Sequence, residues 1–535
     1  MFKPTYDKAT KVWSGPKVPP IFNPDQNLGQ LIVKVLEQTP DAVTQISADT
    51  NVSVTCGEMR ERILKFAVHL NNLGLKQGDV IGVVAGNTEN IAPTVFACFF
   101  LGLPVNPLTP VMVKSNIVQM YSKTKPKLIF CDEKNLKIVQ NSVDMMKSEA
   151  KIYTVMEKVE NYECVTEILK ENVNFDEFIF PKVDPNTTLI ILCSSGTSGP
   201  LKGICKSHRE VLSAMFPLYD RYLMNNPRFY VISAVFWASG FHFLLMTSLF
   251  NYTRIITAEP YEPKRFVDIL VKYKINSLMT PPFMIINLVQ NDAFQILEHM
   301  RLWFFAGAIV TKEIFKKLRP FIPNAMFVNG YGISEVNLLA INYEMKKPES
   351  SGYPVQNVDI MIADDEGNAL ENYQNGEIYA KVPIRFTEYF GEPEVTEKSF
   401  HGEWFKTGDV GHFDDEGFLY VVERKKDMIR FQGYHIIPSE IEAIINEIKG
   451  VMSSCVVGVE DKITGVDFIH AFVIVDEFCK ITEQEIEDYV RKRVIDQKRI
   501  RGGVHFVKSF PLGITGKVDR KKVKEIAENF SKEAT

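Results

Sequence analysis

Residues 188–203 read TLIILCSSGTSGPLKG. The first six are apolar and partly β-branched, as a buried strand requires. The chain then turns at once to hydroxyls, glycines and a lysine. Successive backbone N–H groups in a Gly-rich turn form a nest for anions, Ser and Thr add donors, and Lys supplies a point charge for phosphate oxygens. The stretch reads as a triphosphate cradle. A flexible Ser/Gly linker has a similar composition, but linkers seldom leave a buried strand and end in Leu-Lys-Gly. No G-x-x-x-x-G-K-[ST] string passes through it, which argues against a P-loop ATPase.

Similar apolar runs recur outward from this point: VIGVVA (80–85), KLIFCD (127–132), FYVISAV (229–235), INSLMT (275–280) and LWFFAG (302–307). Continuous apolar runs alternating with helical segments predict parallel strands covered on both faces, an α/β body. From about residue 350 the texture changes to short strands separated by Asp-Glu-Gly and Asn-Gly turn signals, predicting a smaller β-rich subdomain. Beyond RKKD, Pro438 suits a helix start and Thr482 with Glu485 forms a capping box. The expected division is an N-terminal domain over 1–424, a link at 425–427 and a small C-terminal α+β domain over 428–535.

The totals agree with more than one domain, since 535 residues exceed what a single core usually supports. A net charge of −5 gives no reason to expect nucleic acid or an acidic membrane as a partner. The eight cysteines include no C-x-x-C pair and read as reduced, mostly buried thiols. The N-terminus lacks the apolar run of a signal peptide, and the end EAT is not the S-K-L peroxisomal address, so the cytosol is the expected location. Residues 230–252 carry no Asp, Glu, Lys or Arg and could span a bilayer by length. The alternative of a strand, a break at WASG and a short buried helix in FHFLLMTSLF suits the Gly, Ser and His better.

Four further strings carry chemistry. In NGYGISE (329–335), glycines permit close backbone approach, Tyr331 offers a stacking face, Ser334 a donor and Glu335 a hard oxygen for Mg²⁺. In WFKTGDVGHFDDEGF (404–418), Asp409 could accept both hydroxyls of a ribose, although Thr-Gly-Asp is more often an ordinary turn. In VVERKKDMIRFQGY (421–434), Arg424 could reach ribose or phosphate, or could belong to a solvated linker. PLGITGKVDRKK (511–522) sets Lys517 on a Gly-flanked loop that would, alone, be an exposed turn.

In this order and spacing the strings resemble the adenylate-forming superfamily of acyl-CoA synthetases, 4-coumarate-CoA ligases, firefly-type luciferases and peptide-synthetase adenylation domains. The resemblance runs from KQGDVIGVVAGNTE (76–89) through FFAGAIVTKEIF (304–315) to ITGK. It implies a large AMP-binding domain and a small mobile lid. Ser194, Ser195, Gly196, Thr197, Ser198, Gly199 and Lys202 would hold the β- and γ-phosphates. Gly330, Tyr331, Gly332 and Ser334 would surround adenine, Asp409 and Arg424 the ribose, and Glu335 with Thr197 the Mg²⁺. Lys517 would bridge the substrate carboxylate and the α-phosphate, acting with Lys202 and Glu335 as the catalytic set. Lys426 matches the family hinge, and Gly433 the tunnel for the thiol of CoA. The implied reaction joins a carboxylic acid to ATP, releases pyrophosphate, and passes the acyl group to CoA.

Three departures stand out. The phosphate loop reads Pro200-Leu201-Lys202-Gly203 where Leu-Pro-Lys-Gly is usual, and Ser334 replaces a common Thr. Trp237, in VFWASG, stands where relatives carry a histidine beside the substrate carboxylate. Indole has no titratable nitrogen and donates only through Nε1; His242 could compensate or could be an ordinary core residue. The expected acyl pocket, Phe236, Trp237, Phe241, Ala306, Gly307 and Ala308, is apolar and favours a hydrophobic acid, a fatty acid above all. The alternatives are a degenerate homologue that holds nucleotide or acyl-adenylate without turnover, and a luciferase-like monooxygenase.

Overall fold

A computed structural model describes residues 3–175, 178–193, 201–215, 227–281, 284–285, 288, 295–307, 312–343, 345, 347–431, 434–460, 466–476, 479–512 and 518–533. Ile81–Val84, a run of four buried residues, lies at the middle of an eight-stranded sheet. It pairs in parallel with Val105–Leu108 on one side and Leu128–Cys131 on the other. Thr188–Cys193 joins in parallel beside Val105–Leu108, then pairs antiparallel with Gly203–Ser207, which pairs antiparallel with Glu388–Tyr389. TLIILC is therefore the last strand of the parallel run, next to the antiparallel end of the sheet.

A nine-stranded sheet is built on the same plan. Arg228–Tyr230, Thr253–Ile256, Ser277–Thr280, Leu302–Ala306 and Met326–Ile333 run in parallel, and Asn337–Tyr343 folds back antiparallel at the edge. Between the sheets lies the helix Ile91–Leu101, every residue of which is buried. A helix apolar all round belongs in a core. Gly102, left-handed at φ 72°, closes it.

The third sheet, of seven strands, is antiparallel and includes Asp359–Ala363, Gly376–Lys381, Trp404–Phe413 and Leu419–Arg424. Thr5–Asp7 and Val12–Ser14 complete it from the opposite end of the chain. Trp13 fixes this return, donating to Asn372 at 3.1 Å and packing 5.6 Å from Phe413. That contribution has no local signal in the sequence.

The C-terminal domain is smaller. Val451–Glu460, Asp467–Val475 and Gly503–Phe506 form a three-stranded sheet, packed by helices Pro438–Asn446, Glu483–Arg491 and Arg520–Glu533. Ile441, Ile445, Val456, Ile469, Ile486 and Val490 share its core. Pro438 stands at the helix start, and the Thr482–Glu485 capping box forms as the sequence predicts.

The uncharged stretch 230–252 departs from its expected boundaries. The strand ends at Tyr230, the break falls at 231–237, and Ala-Ser-Gly already belongs to the helix Ala238–Leu249, which starts ahead of the expected Phe241. The reason is packing: a Cβ on Gly240 would lie 1.9 Å from the Ala234 carbonyl, so Gly240 lets the helix close against its own lead-in turn. Its 12 residues span about 18 Å, short of the ~30 Å of a bilayer core. Among the described residues, no helix is long and apolar enough to cross a membrane.

Candidate active site

The strand Met326–Ile333 carries Asn-Gly-Tyr-Gly at its carboxyl end, and only Ser334–Val336 form the turn. Both glycines are sterically required. A Cβ on Gly330 would lie 2.4 Å from the Phe304 ring, and one on Gly332 would lie 2.2 Å from the Asn337 carbonyl. Ala306 is the cross-strand partner of Gly330, which brings a residue of the expected acyl pocket beside one of the expected adenine site.

Tyr331 projects from this strand and donates its hydroxyl to Asp409 Oδ2 at 2.7 Å. Asp409 is buried, and its other oxygen pairs with Arg424 Nε at 2.7 Å. Register explains the pair, because Asp409 and Arg424 are direct cross-strand partners. Thr407 Oγ1 accepts the Asp409 N–H at 3.1 Å and fixes the turn. Burial, then the Asp409 charge, holds the Tyr331 phenol far above its usual range, so it stays a neutral donor. A carboxylate offers about four acceptor sites, enough for Tyr331, Arg424 and a diol together.

Glu335 sits on the turn. Its Oε1 accepts the Tyr389 hydroxyl at 2.8 Å, and its backbone carbonyl accepts Lys206 Nζ. Lys202 Nζ lies 4.8 Å over the Tyr389 ring. The structure thus joins Lys202, Tyr389 and Glu335 in one chain of contacts. Hard oxygen at Glu335 suits Mg²⁺, which keeps much of its water and takes one or two carboxylates plus phosphate oxygens. Among the described residues there is no cluster of three His, Cys, Asp or Glu to hold a metal unaided, so Glu335 fits an ion that arrives with its phosphates.

Lys426 comes close to this site. Its ammonium is pulled below the usual lysine value first by desolvation, with Asp427 opposing and the Arg424 and Lys202 charges adding repulsion. Lys425 instead grips Glu377 and Asp365, each at 2.9 Å. Ser439, on the first helix of the small domain, donates to Glu423 at 3.2 Å and holds that domain against the strand leading to the link.

Other expected residues are placed differently or not described. Phe241 is buried and packs edge-on to Phe99 at 6.1 Å, in the core between the sheets. Trp237 caps the helix Ala238–Leu249, half-buried, 5.5 Å from Phe236. That helix rests on the sheet through Phe243 and Phe304, 6.3 Å apart, directly beneath Gly330. His242 lines a crevice with Val336, Asn337 and Leu338, and burial lowers its pKa to about 4; it is a neutral ring. Gly307 ends its strand at φ 93°. Ser194, Ser195, Gly196, Thr197, Ser198, Gly199, Pro200, Ala308, Gly433 and Lys517 lie outside the described residues. Around the last of these, Leu512 bridges Val518 and the Asp519 N–H donates to Pro511 at 2.8 Å, so the base of that loop is pinned.

Sequence reading missed Tyr389, Lys206 and Glu210. Lys206 and Glu210 form an ion pair at 2.5 Å with side chains only 1% and 3% exposed. Removing one partner of such a pair costs about 3–5 kcal/mol, because the other charge is left buried. A Lys and a Glu four apart read as a solvated pair, and nothing local marks Tyr389. The burial comes from the chain 180 residues away.

Comparison with known proteins agrees with this geometry. Luciferin 4-monooxygenase of Photuris pensylvanica is 26% identical over 95% of this chain and 97% of its own. A probable 4-coumarate–CoA ligase of Dictyostelium discoideum is also 26% identical, over 95% and 97%. The ATP-bound crystal structure of MatB from Rhodopseudomonas palustris superimposes with a TM-score of 0.84 at 21% identity, covering 94% of this chain and all of that one; it shows the shared fold. The model of the AMP-binding enzyme family matches residues 33–390 and that of its C-terminal domain matches 440–517. A chain whose Gly-Tyr-Gly strand falls inside the first match, and whose small C-terminal domain carries the second, belongs to the AMP-binding, adenylate-forming enzymes.

Proposed function

We propose that the protein is an ATP- and Mg²⁺-dependent acid–CoA ligase acting on a hydrophobic carboxylic acid, a fatty or aryl-substituted acid. The observation that carries the reading is the convergence of Tyr331, Asp409, Arg424, Glu335 and Lys202 from separate strands. Asp409 takes the ribose diol while Arg424 and Tyr331 hold the carboxylate in place. Lys202 and the loop 194–199 take the terminal phosphates. Glu335 and Thr197 would hold Mg²⁺ together with ATP, and the ion would supply positive charge beside the leaving pyrophosphate. Lys517 enters from the small domain and places its ammonium between the acid and the α-phosphate, where negative charge builds.

The acid's carboxylate oxygen attacks the α-phosphorus, and the bond to the β-phosphate oxygen breaks. Pyrophosphate leaves with the electron pair. Rotation of the small domain about Lys426 withdraws Lys517 and brings the Gly433 face forward for the thiol. Thiolate attack on the acyl carbon then expels AMP. An apolar acid suits Phe236, Trp237, Ala306 and Gly307, and no Asp is placed among them to pair an α-amino group. Incubation with ATP, CoA and a panel of acids is expected to release AMP and form thioester, and Lys517→Ala to abolish adenylate formation. Full activity in that variant refutes the assigned role.

Trp237 favours a second reading, a homologue that holds nucleotide or acyl-adenylate without turnover. Nucleotide binding by calorimetry, with no pyrophosphate exchange for any acid, selects it; robust exchange eliminates it. The likeness to luciferin 4-monooxygenase gives a third, checked by light emission with luciferin and ATP.

A further inference from the structure

The strand Gly203–Ser207 lies between Thr188–Cys193 and the edge strand Glu388–Tyr389. Ile204 is the cross-strand partner of Tyr389, so Lys202 and Lys206, two residues to either side, flank Tyr389 on one face. Ser207 ends the strand just after Lys206. Ser207 then caps the next helix, accepting the Glu210 N–H at 3.1 Å, which turns Glu210 back toward Lys206. Three groups surround the Lys206 ammonium: the Glu210 carboxylate at 2.5 Å, the Glu335 carbonyl, and the Phe386 ring at 5.7 Å. Glu210 is held on its other oxygen by Thr387, through the hydroxyl at 2.8 Å and the N–H at 3.3 Å. Two residues on from Thr387 stands Tyr389, whose hydroxyl returns to the Glu335 carboxylate. The contacts close a ring: Lys206, Glu210, Thr387, Tyr389 and Glu335.

We propose that the Lys206–Glu210 pair is a positioning device for Glu335, locking its backbone from below while Tyr389 orients its carboxylate toward the metal–nucleotide complex. A buried ion pair is a poor way to gain stability, since apolar side chains of the same volume are often as good or better. What it adds here is a directed ammonium that reaches the carbonyl of one particular residue. The pair, with side chains 1% and 3% exposed, acts through Glu335. The inference rests on the proposed role of Glu335 as the metal ligand.

The test replaces both charges together, Lys206→Met with Glu210→Gln, so that no lone charge is buried. With the α,β-methylene analogue of ATP present, whose α–β bridge cannot be cleaved, Mn²⁺ binding read by electron paramagnetic resonance is expected to weaken roughly tenfold, equivalent to about 1.4 kcal/mol, with the melting temperature held. Made in a Glu335→Gln background, the same change is expected to add nothing, since both act at one ligand; a general structural role adds in full. Unchanged Mn²⁺ affinity in the folded double variant, or full additivity with Glu335→Gln, overturns the proposal. Should the double variant not fold, Thr387→Val decides: weaker Mn²⁺ binding supports the device and unaltered binding overturns it. Because the readout needs no turnover, absence of pyrophosphate exchange in the unaltered protein counts against the ligase reading alone.

Discussion

Two antiparallel strand pairs, one where the parallel run of each large sheet ends, use the same backbone device for opposite purposes. In the eight-stranded sheet the last parallel strand, Thr188–Cys193, hands over to antiparallel Gly203–Ser207. In the nine-stranded sheet Met326–Ile333 hands over to Asn337–Tyr343 in the same way. The sequence between the strands of the first pair supplies small hydroxyl residues, and Lys202 follows them with a positive charge. The second pair carries Tyr331 and Glu335, a flat ring and a carboxylate, each tied to the third sheet or its neighbour by a hydrogen bond. Parallel sheets bind ligands beyond the carboxyl ends of their strands. The proposed ATP site draws on both ends: the first would take the phosphates, the second the base and the metal.

The largest effects are expected where the hairpins meet. Lys202→Met and Glu335→Gln, one from each hairpin, are each expected to slow pyrophosphate exchange by about 10²–10³-fold, the usual cost of losing one preorganised charge-stabilising group. Combined, they are expected to fall short of the product, since they act on one polyphosphate. Full additivity breaks the idea of a shared ligand. A smaller effect is expected at the tie between the second hairpin and the third sheet. Tyr331→Phe removes one hydrogen bond to a buried carboxylate, and nucleotide binding by calorimetry is expected to weaken about tenfold, near 1.4 kcal/mol.

The mildest prediction sets the large domain against the small one in acid. His208 and His242 in the first, and His470 in the second, are each lowered by burial to about 4, and His505 beside His470 is lowered as well. These rings are neutral when folded and protonate near the ordinary ~6.5 when unfolded. Between about pH 6.5 and 4 the unfolded chain therefore binds protons the folded one refuses, and stability present above that window is lost through it. Thermal denaturation is expected to show the melting temperature falling below pH 6.5, with the slope reduced in His470→Phe. A flat profile contradicts the burial of these rings.

Much of this was legible because its signals are local. Apolar runs marked the parallel strands, and Thr482 with Glu485 marked a helix start that forms as expected. Tyr331, Asp409 and Arg424 meet at 2.7 Å contacts although each string alone reads as a turn or linker. What escaped was set by distant chain. Trp13 joins a sheet assembled from residues beyond 359. Lys206 and Glu210 look solvated until Phe386, Thr387 and Tyr389 cover them. The helix start at Ala238 escaped because the close approach to Ala234, which needs a residue without a side chain at Gly240, leaves no local mark.

The central claim is that both hairpins grip one ATP. Pyrophosphate exchange across acids of increasing chain length and aromaticity, in the unaltered protein beside Lys202→Met and Glu335→Gln, tests it most directly. Acid-dependent exchange that collapses in both variants is the predicted result. Exchange that survives intact in either variant contradicts the account.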